Sequence, residues 1–173
     1  MVVQIPNNDT LASKPFEYPL KKPVGLIMSE PFKHLLRVRY AECDAQQVVF
    51  NSRYVEYADV AITEFMRAVY GDYKNLLAAG MDNQVVNMNL SWKGPARFDD
   101  VLALSVHTTR IGNTSFTIQV DITNYVTGAE IVTAEISYVL VSVAEYKKML
   151  IPDDLRELLE KGAPGVISNH AGI

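Results

Sequence analysis

Residues 37–67 read R-V-R-Y-A-E-C-D-A-Q-Q-V-V-F-N-S-R-Y-V-E-Y-A-D-V-A-I-T-E-F-M-R, and the apolar period changes within them. Leu36, Val38 and Tyr40 alternate with Arg37 and Arg39, the two-residue period of a half-buried strand. From Asn51 onward the apolar positions Tyr54, Ala58, Ala61, Ile62, Phe65 and Val69 recur at helical spacing. Arg53, Glu56, Thr63, Glu64 and Arg67 fall largely on other faces. No Gly or Pro interrupts the run before Gly71, so the pattern predicts a helix of about four or five turns. Asn51 or Ser52 stands where its N-cap belongs.

Beyond the helix lie four strand-like runs. Val86, Met88, Leu90 and Trp92 alternate with Val85, Asn87, Asn89 and Ser91. Leu102, Leu104 and Val106 mark the next run, Phe116, Ile118, Val120 and Ile122 the one after, and Ile131 to Val143 the longest. Gly94-Pro95, Gly112-Asn113 and Thr127-Gly128 separate them as turns. Such short connections imply antiparallel hairpins. Pro152 opens a short helix with Leu155, Leu158 and Leu159, and Gly162 follows it. Prolines at 6, 15, 19, 23 and 31 make residues 1–34 read as an irregular arm. The expectation is therefore one α+β domain over 35–162, flanked by that arm and by a coil tail over 163–173.

A chain of 173 residues, 49% apolar, is long enough for one real core. Its net charge of -4 argues against a general binder of phosphate backbones, so no nucleic-acid partner is expected. No apolar run reaches the roughly 20 residues of a bilayer span, and no membrane partner is expected. The first 30 residues carry Asp9, Glu17 and Glu30 and no basic-then-apolar leader. With a single cysteine, Cys43, this composition points to the cytoplasm.

Asp44 lies seven positions before Asn51. Amides at a helix N-terminus point outward unpaired and carry partial positive charge, so they can hold an oxygen on which negative charge develops. A carboxylate facing that oxygen could attack a carbonyl carbon or activate a water. From spacing alone, an Asp at this place is equally a turn former or a cap.

The stretch resembles the 4-hydroxybenzoyl-CoA thioesterase family of hotdog proteins. The likeness rests on Glu42-Cys43-Asp44, Val48-Val49-Phe50, Tyr54, Tyr57 and Asp59, on Phe98-Asp99-Asp100-Val101-Leu102, and on Arg110 through Phe116; it covers residues 35–145. The resemblance implies a hotdog fold, a five-stranded antiparallel sheet wrapped around the long helix. It also implies a homo-oligomer, a dimer or a dimer of dimers, with sites at the interface. The substrate implied is an acyl-CoA; no cofactor is expected, and since no pair of His or Cys has ligand spacing, no metal is expected either. In the matched positions Asp44 is the catalytic carboxylate and the Asn51 amide polarises the carbonyl. Tyr54 opens the helix beside them, as a member of the catalytic set or as packing. Gln47, Val48, Phe50, Asp59, Asn87 and Arg110 are the candidate substrate-binding residues.

The chain departs from that pattern in places. Gln47 stands where the family usually has Gly, which would tolerate a positive φ or a close ligand approach; a different loop or a partly filled pocket is the expectation. Asn51 replaces a His or Tyr. The family's basic residues for CoA phosphates are not reproduced, leaving Arg110 and Lys93 as candidates. These departures motivate an alternative, a non-hydrolytic acyl-CoA-binding hotdog protein. A hotdog hydratase would want an Asp and His pair that the sequence does not offer. Cysteine catalysis by Cys43 would want a neighbouring His, yet His34, His107 and His170 are scattered.

Overall fold

A computed structural model of the chain describes residues 30–173. Most of the predicted arm lies outside these residues. The elements run β1 (Phe32–Arg37), a 3₁₀ turn (Tyr40–Glu42), α1 (Arg53–Tyr70), α2 (Tyr73–Ala78), β2 (Met81–Trp92), β3 (Val101–Ile111), β4 (Ser115–Asn124), β5 (Glu130–Ser142), α3 (Asp153–Lys161) and β6 (Ile167–Asn169). The strands form one sheet in the order β2-β5-β4-β3-β1-β6. Neighbours are antiparallel, except that β6 runs parallel to β1.

The sheet wraps α1. Leu102, Leu104 and Val106 of β3, Phe116 to Ile122 at alternate positions of β4, and Ala134, Ile136 and Tyr138 of β5 turn one face inward. They meet Tyr54, Ala58, Ala61, Ile62, Phe65 and Val69, all buried as their spacing predicts. The opposite face of the sheet is polar, with Thr117 bonded to Ser137 and Gln119 and Thr133 bonded to Asp121. In β4 and the middle of β5 one side is thus apolar and the other polar, which pins their register, while Leu35, Val101 and Ala103 form a small buried apolar cluster with Ala171 on the outer side of β1 and β3.

Four sequence expectations change. The first strand starts at Phe32, inside the predicted arm, and ends at Arg37. Tyr40 belongs instead to the 3₁₀ turn, because Glu42 reaches back to Arg39 and curls the chain out of the sheet. In β2 the register slips between Val85 and Asn87. This bulge turns Val85 rather than Val86 to the inner side that Met88 and Leu90 share, since one extra residue reverses the alternation. The tail is not all coil: Ile167–Asn169 adds a sixth strand. Helix α2 was not anticipated; the Asp72 carboxylate caps it by accepting from Lys74 N–H.

The C-terminal segment is latched onto β1. Lys33 N–H donates to Val166 O and His170 N–H to Leu35 O, at 3.0 and 2.8 Å. His34, 1% exposed, lies 3.2 Å from Ser168 Oγ and meets the His170 ring edge-on at 4.8 Å. Burial, and then the neighbouring His170, push the His34 imidazole down from its usual 6.5 to about 4, with Glu64 acting the other way. The unfolded chain takes up this proton near 6.5 and the folded chain does not. Stability is therefore full above that value and is lost as pH falls toward 4. Urea unfolding at about pH 7.5 and about pH 5 should show the loss, at a slope of at most about 1.4 kcal/mol per pH unit from this group. His34→Gln should flatten it.

Candidate functional site

Asp44 sits in a tight loop between the 3₁₀ turn and α1. Its N–H donates to Val48 O and its C=O accepts from Gln47 N–H, both at 2.9 Å. Cys43 and Val49 pair as an isolated antiparallel bridge, and Phe50 N–H donates to Glu42 O at 3.0 Å. Asp44 Oδ1 accepts from Gln46 N–H at 2.8 Å and from Val48 N–H at 3.4 Å. Its Oδ2 takes no hydrogen bond among the described residues. One carboxylate oxygen thus shapes the loop while the other is unengaged.

The loop is held against α1 from two sides. Val49 N–H donates to Ala96 O at 2.9 Å, and Ala96 N–H donates to Tyr54 Oη at 3.2 Å. Tyr57 Oη donates to Glu42 Oε2 at 2.8 Å. Glu42, 4% exposed, also accepts from the Arg39 backbone N–H and pairs with its guanidinium at 2.7 Å. Burial alone would raise the Glu42 carboxyl, but the bonds from Arg39 and Tyr57 outweigh it and hold the group below the usual carboxylate range. Burial raises the Tyr54 and Tyr57 hydroxyls, so both stay protonated. The two rings meet edge to face at 6.0 Å.

Asn51 follows directly on Phe50, at the entrance of α1. Ser52 is the N-cap residue, yet its own backbone is helical and its side chain makes no capping bond. Arg53 N–H turns back to Phe50 O. The Asn51 N–H has no partner among the described residues. An uncapped helix end of this kind presents donors to an oxygen that gains negative charge.

Gln47 takes φ +63, the left-handed conformation that a glycine would adopt freely. The loop therefore carries strain at a non-glycine residue. Val48 is half-buried within the loop and Phe50 is exposed beside it. Asp59 is exposed on α1, at the rim of a cavity of about 310 Å³ between α1, β2 and β5. Asn87 lies opposite Ser137, so the bulge turns it to the polar outer face of the sheet. Arg110 is exposed at the end of β3, and Lys93 pairs with Glu130 at 3.1 Å. Tyr54 is buried and its hydroxyl is engaged with Ala96, which makes it a clamp on the loop. A larger cavity, about 640 Å³, opens around His34, Arg37, Tyr57 and His170 and does not include Asp44. Its carboxylates among the described residues, Glu42 and Asp99, are both paired with arginines, so it offers no free carboxylate.

Sequence reading missed the roles of Glu42, Tyr57 and Ala96. The spacing of Arg39 to Glu42 was a visible signal for the first; nothing local marked Ala96.

A family model described as the thioesterase superfamily matches residues 46–130. This span holds Asn51, Tyr54 and Asp59 but begins after Asp44. The acyl-CoA thioester hydrolase YbgC of Escherichia coli O6:H1 is 31% identical over 54% of this chain and 69% of its own length. The long-chain acyl-CoA thioesterase FadM of Escherichia coli is 25% identical over 73% of this chain and 95% of its own. The crystal structure of a thioesterase superfamily protein from Jannaschia sp. CCS1 superposes with a TM-score of 0.71 at 24% identity, covering 84% of this chain and 99% of that one.

A non-glycine residue in the left-handed region costs about 1–2 kcal/mol, while a glycine returns about 0.4–1 kcal/mol of that through the freedom of the unfolded chain. Gln47→Gly should therefore match or slightly exceed the wild-type thermal midpoint. Gln47→Val, which cannot take this φ, should lower it clearly. Differential scanning calorimetry of the two variants checks both.

Proposed function

The chain belongs to the thioesterase superfamily, and we propose that it hydrolyses the thioester of an acyl- or aroyl-CoA to the free acid and CoA, with Asp44 as the catalytic carboxylate. The observation that carries this reading is the loop of residues 42–50. It leaves Asp44 Oδ2 without a partner and joins directly to an uncapped helix start at Asn51.

In this reading the thioester carbonyl oxygen lies against the Asn51 N–H, where the end of the α1 dipole favours the charge that builds on it. Asp44 Oδ2 faces the carbonyl carbon. As nucleophile it forms an acyl–carboxylate anhydride and expels CoA as the thiolate; water then cleaves the anhydride. As general base it takes one proton from a water that adds to the carbon, and the same thiolate leaves. In both accounts the thiolate ends protonated and the acid is released. Tyr54 and Tyr57 act by holding the loop and do not touch the reacting atoms. Gln47, Val48 and Phe50 form the loop's outer wall beside the thioester, and Arg110 is the cation we assign to the CoA phosphates. The binder alternative was motivated by Gln47 and Asn51; Gln47 takes a left-handed φ open to a glycine, and the Asn51 backbone N–H is free to act whatever its side chain.

We also propose a homodimer formed at β2. This strand is the sheet's edge, runs 12 residues, and leaves Val85, Val86 and Trp92 each at least half exposed. A long edge strand with exposed apolar side chains is an invitation to pair with another strand. A second copy would continue the sheet there.

Asp44→Asn keeps an oxygen able to accept from Gln46 and Val48, so the loop survives while the charge is lost. It should lower kcat by about 10²-fold or more, with a much smaller change in KM, in free-thiol release from an acyl-CoA panel. Tight acyl-CoA binding without turnover by the wild type would instead favour the binder. Light scattering should report at least twice the 19.3 kDa chain mass; a monomer at micromolar concentration would count against an interface-built site.

A further inference from the structure

Residues 164–173 are held to the domain by few contacts. They follow Ala163, which packs in the main core, and leave it through Gly165, whose φ of +74 is a conformation open to glycine. Gly165 N–H donates to Glu30 O at 2.7 Å. The three residues of β6 pair with Lys33, His34 and Leu35 and with no other strand. Beyond β6, Arg37 Nε donates to Ala171 O at 3.2 Å. Val166 and Ile167 are exposed, and Ala171 is the one buried side chain of the segment, set against Leu35, Val101 and Ala103. A segment with so little apolar contact stands at the low end of local stability.

His34 lies beneath it. Ser168 Oγ stands beside one ring nitrogen and the exposed His170 ring closes over the imidazole edge-on. A charged imidazole donates from both nitrogens. Ser168 Oγ can accept from one, and the other has no acceptor among the described residues. No carboxylate beside it is free to pair with it either. Glu64 on α1, whose charge reaches His34, is engaged with Arg67 at 3.4 Å. On the shared cavity, Asp99 is paired with Arg37, and Glu42 with Arg39 and Tyr57. Lys33, next along β1, points to the opposite side of the strand and pairs with Glu30. Leu104, opposite His34 on β3, is apolar. The surroundings thus suit a neutral ring, and a proton placed there has no counter-charge and lies against a second imidazole.

We infer that residues 164–173 form a strap that protonation of His34 releases while the rest of the domain stays folded. Lifting the strap takes Ser168 and His170 off the ring and lets water reach it. The open form then accepts the proton at the ordinary imidazole value of 6.5, whereas the closed form accepts it only near 4. Opening is therefore favoured as pH falls below 6.5, and the gain levels off below 4. From about pH 7.5 to about pH 5 the ratio of open to closed strap rises about thirtyfold. Only the strap's few bonds break, so it opens at a milder pH than the domain unfolds. Release uncovers Leu35, Val101 and Ala103, bares the edge of β1, and removes the wall that His170, Ala171 and Gly172 give the 640 Å³ cavity.

The test is amide hydrogen exchange of the full chain, read by mass spectrometry at about pH 7.5 and about pH 5, with each rate divided by that of an unstructured peptide at the same pH. It is run on the wild type, His34→Gln and His170→Gln. The peptide over 164–173 reports the strap, through the His170 N–H that donates to Leu35 O. In the wild type its protection should fall about thirtyfold on acidification, while peptides from α1 and β4 change far less. In His34→Gln, which can still bond Ser168, the ratio should drop to near one. In His170→Gln, at an exposed position, it should shrink without vanishing. Strap protection that does not move with pH overturns the inference. So does a loss of equal size in the strap, α1 and β4, which is global unfolding, and so does a ratio left at its wild-type size by both substitutions.

Discussion

The site depends on the backbone of Ala96. Its carbonyl accepts from Val49 in the Asp44 loop, and its N–H donates to the Tyr54 hydroxyl in the first turn of α1. Both groups are strong and are buried away from water, where leaving either unmade would be costly. One residue between β2 and β3 thereby fixes how the loop stands against the helix end. Tyr57 repeats the arrangement on the other side through Glu42. The loop needs such a frame because its own geometry is strained at Gln47, and a strained turn persists only when its surroundings over-determine it.

The wrapped sheet supplies the rest. A long helix gripped on its apolar face leaves its N-terminus at one end of the sheet and its exposed stripe beside the edge strand β2. Ala58 and Ala61, both fully buried, let the helix sit close to the strands. The bulge at Val86 then sorts the two sides of β2. Val85 and Asn83 turn toward the cavity, and Asn87 turns to the outer polar face. No helix among the described residues is long and apolar enough to cross a membrane.

Much of this was legible in local pattern. The spacing of Tyr54, Ala58, Ala61, Ile62, Phe65 and Val69 predicts the helix and its buried face, because a helix returns every 3.6 residues whatever it packs on. The strand runs of β3, β4 and β5 were equally plain, as their inner sides are continuous rows of large apolar residues. Reading failed where long-range contacts overrule the pattern. Tyr40 continued an alternation that Glu42 breaks. Val86 carried the inward phase until a bulge reversed it. Ile167–Asn169 gains strand geometry only from the open edge of β1, and its three residues have no periodicity to read.

The sequence by itself determined the order of elements, the buried stripe of α1 and the place of Asp44 ahead of a helix start, since these follow from spacing and local backbone preference. Tertiary structure decided which atoms are free to act. Asp44 has one engaged and one open oxygen, Tyr54 faces Ala96 instead of a substrate, and Tyr70, Asn83 and Tyr138 converge on one cavity from α1, β2 and β5. Those outcomes depend on hydrogen bonds and contacts between residues up to 68 positions apart along the chain (Tyr70 to Tyr138), and no local period encodes them.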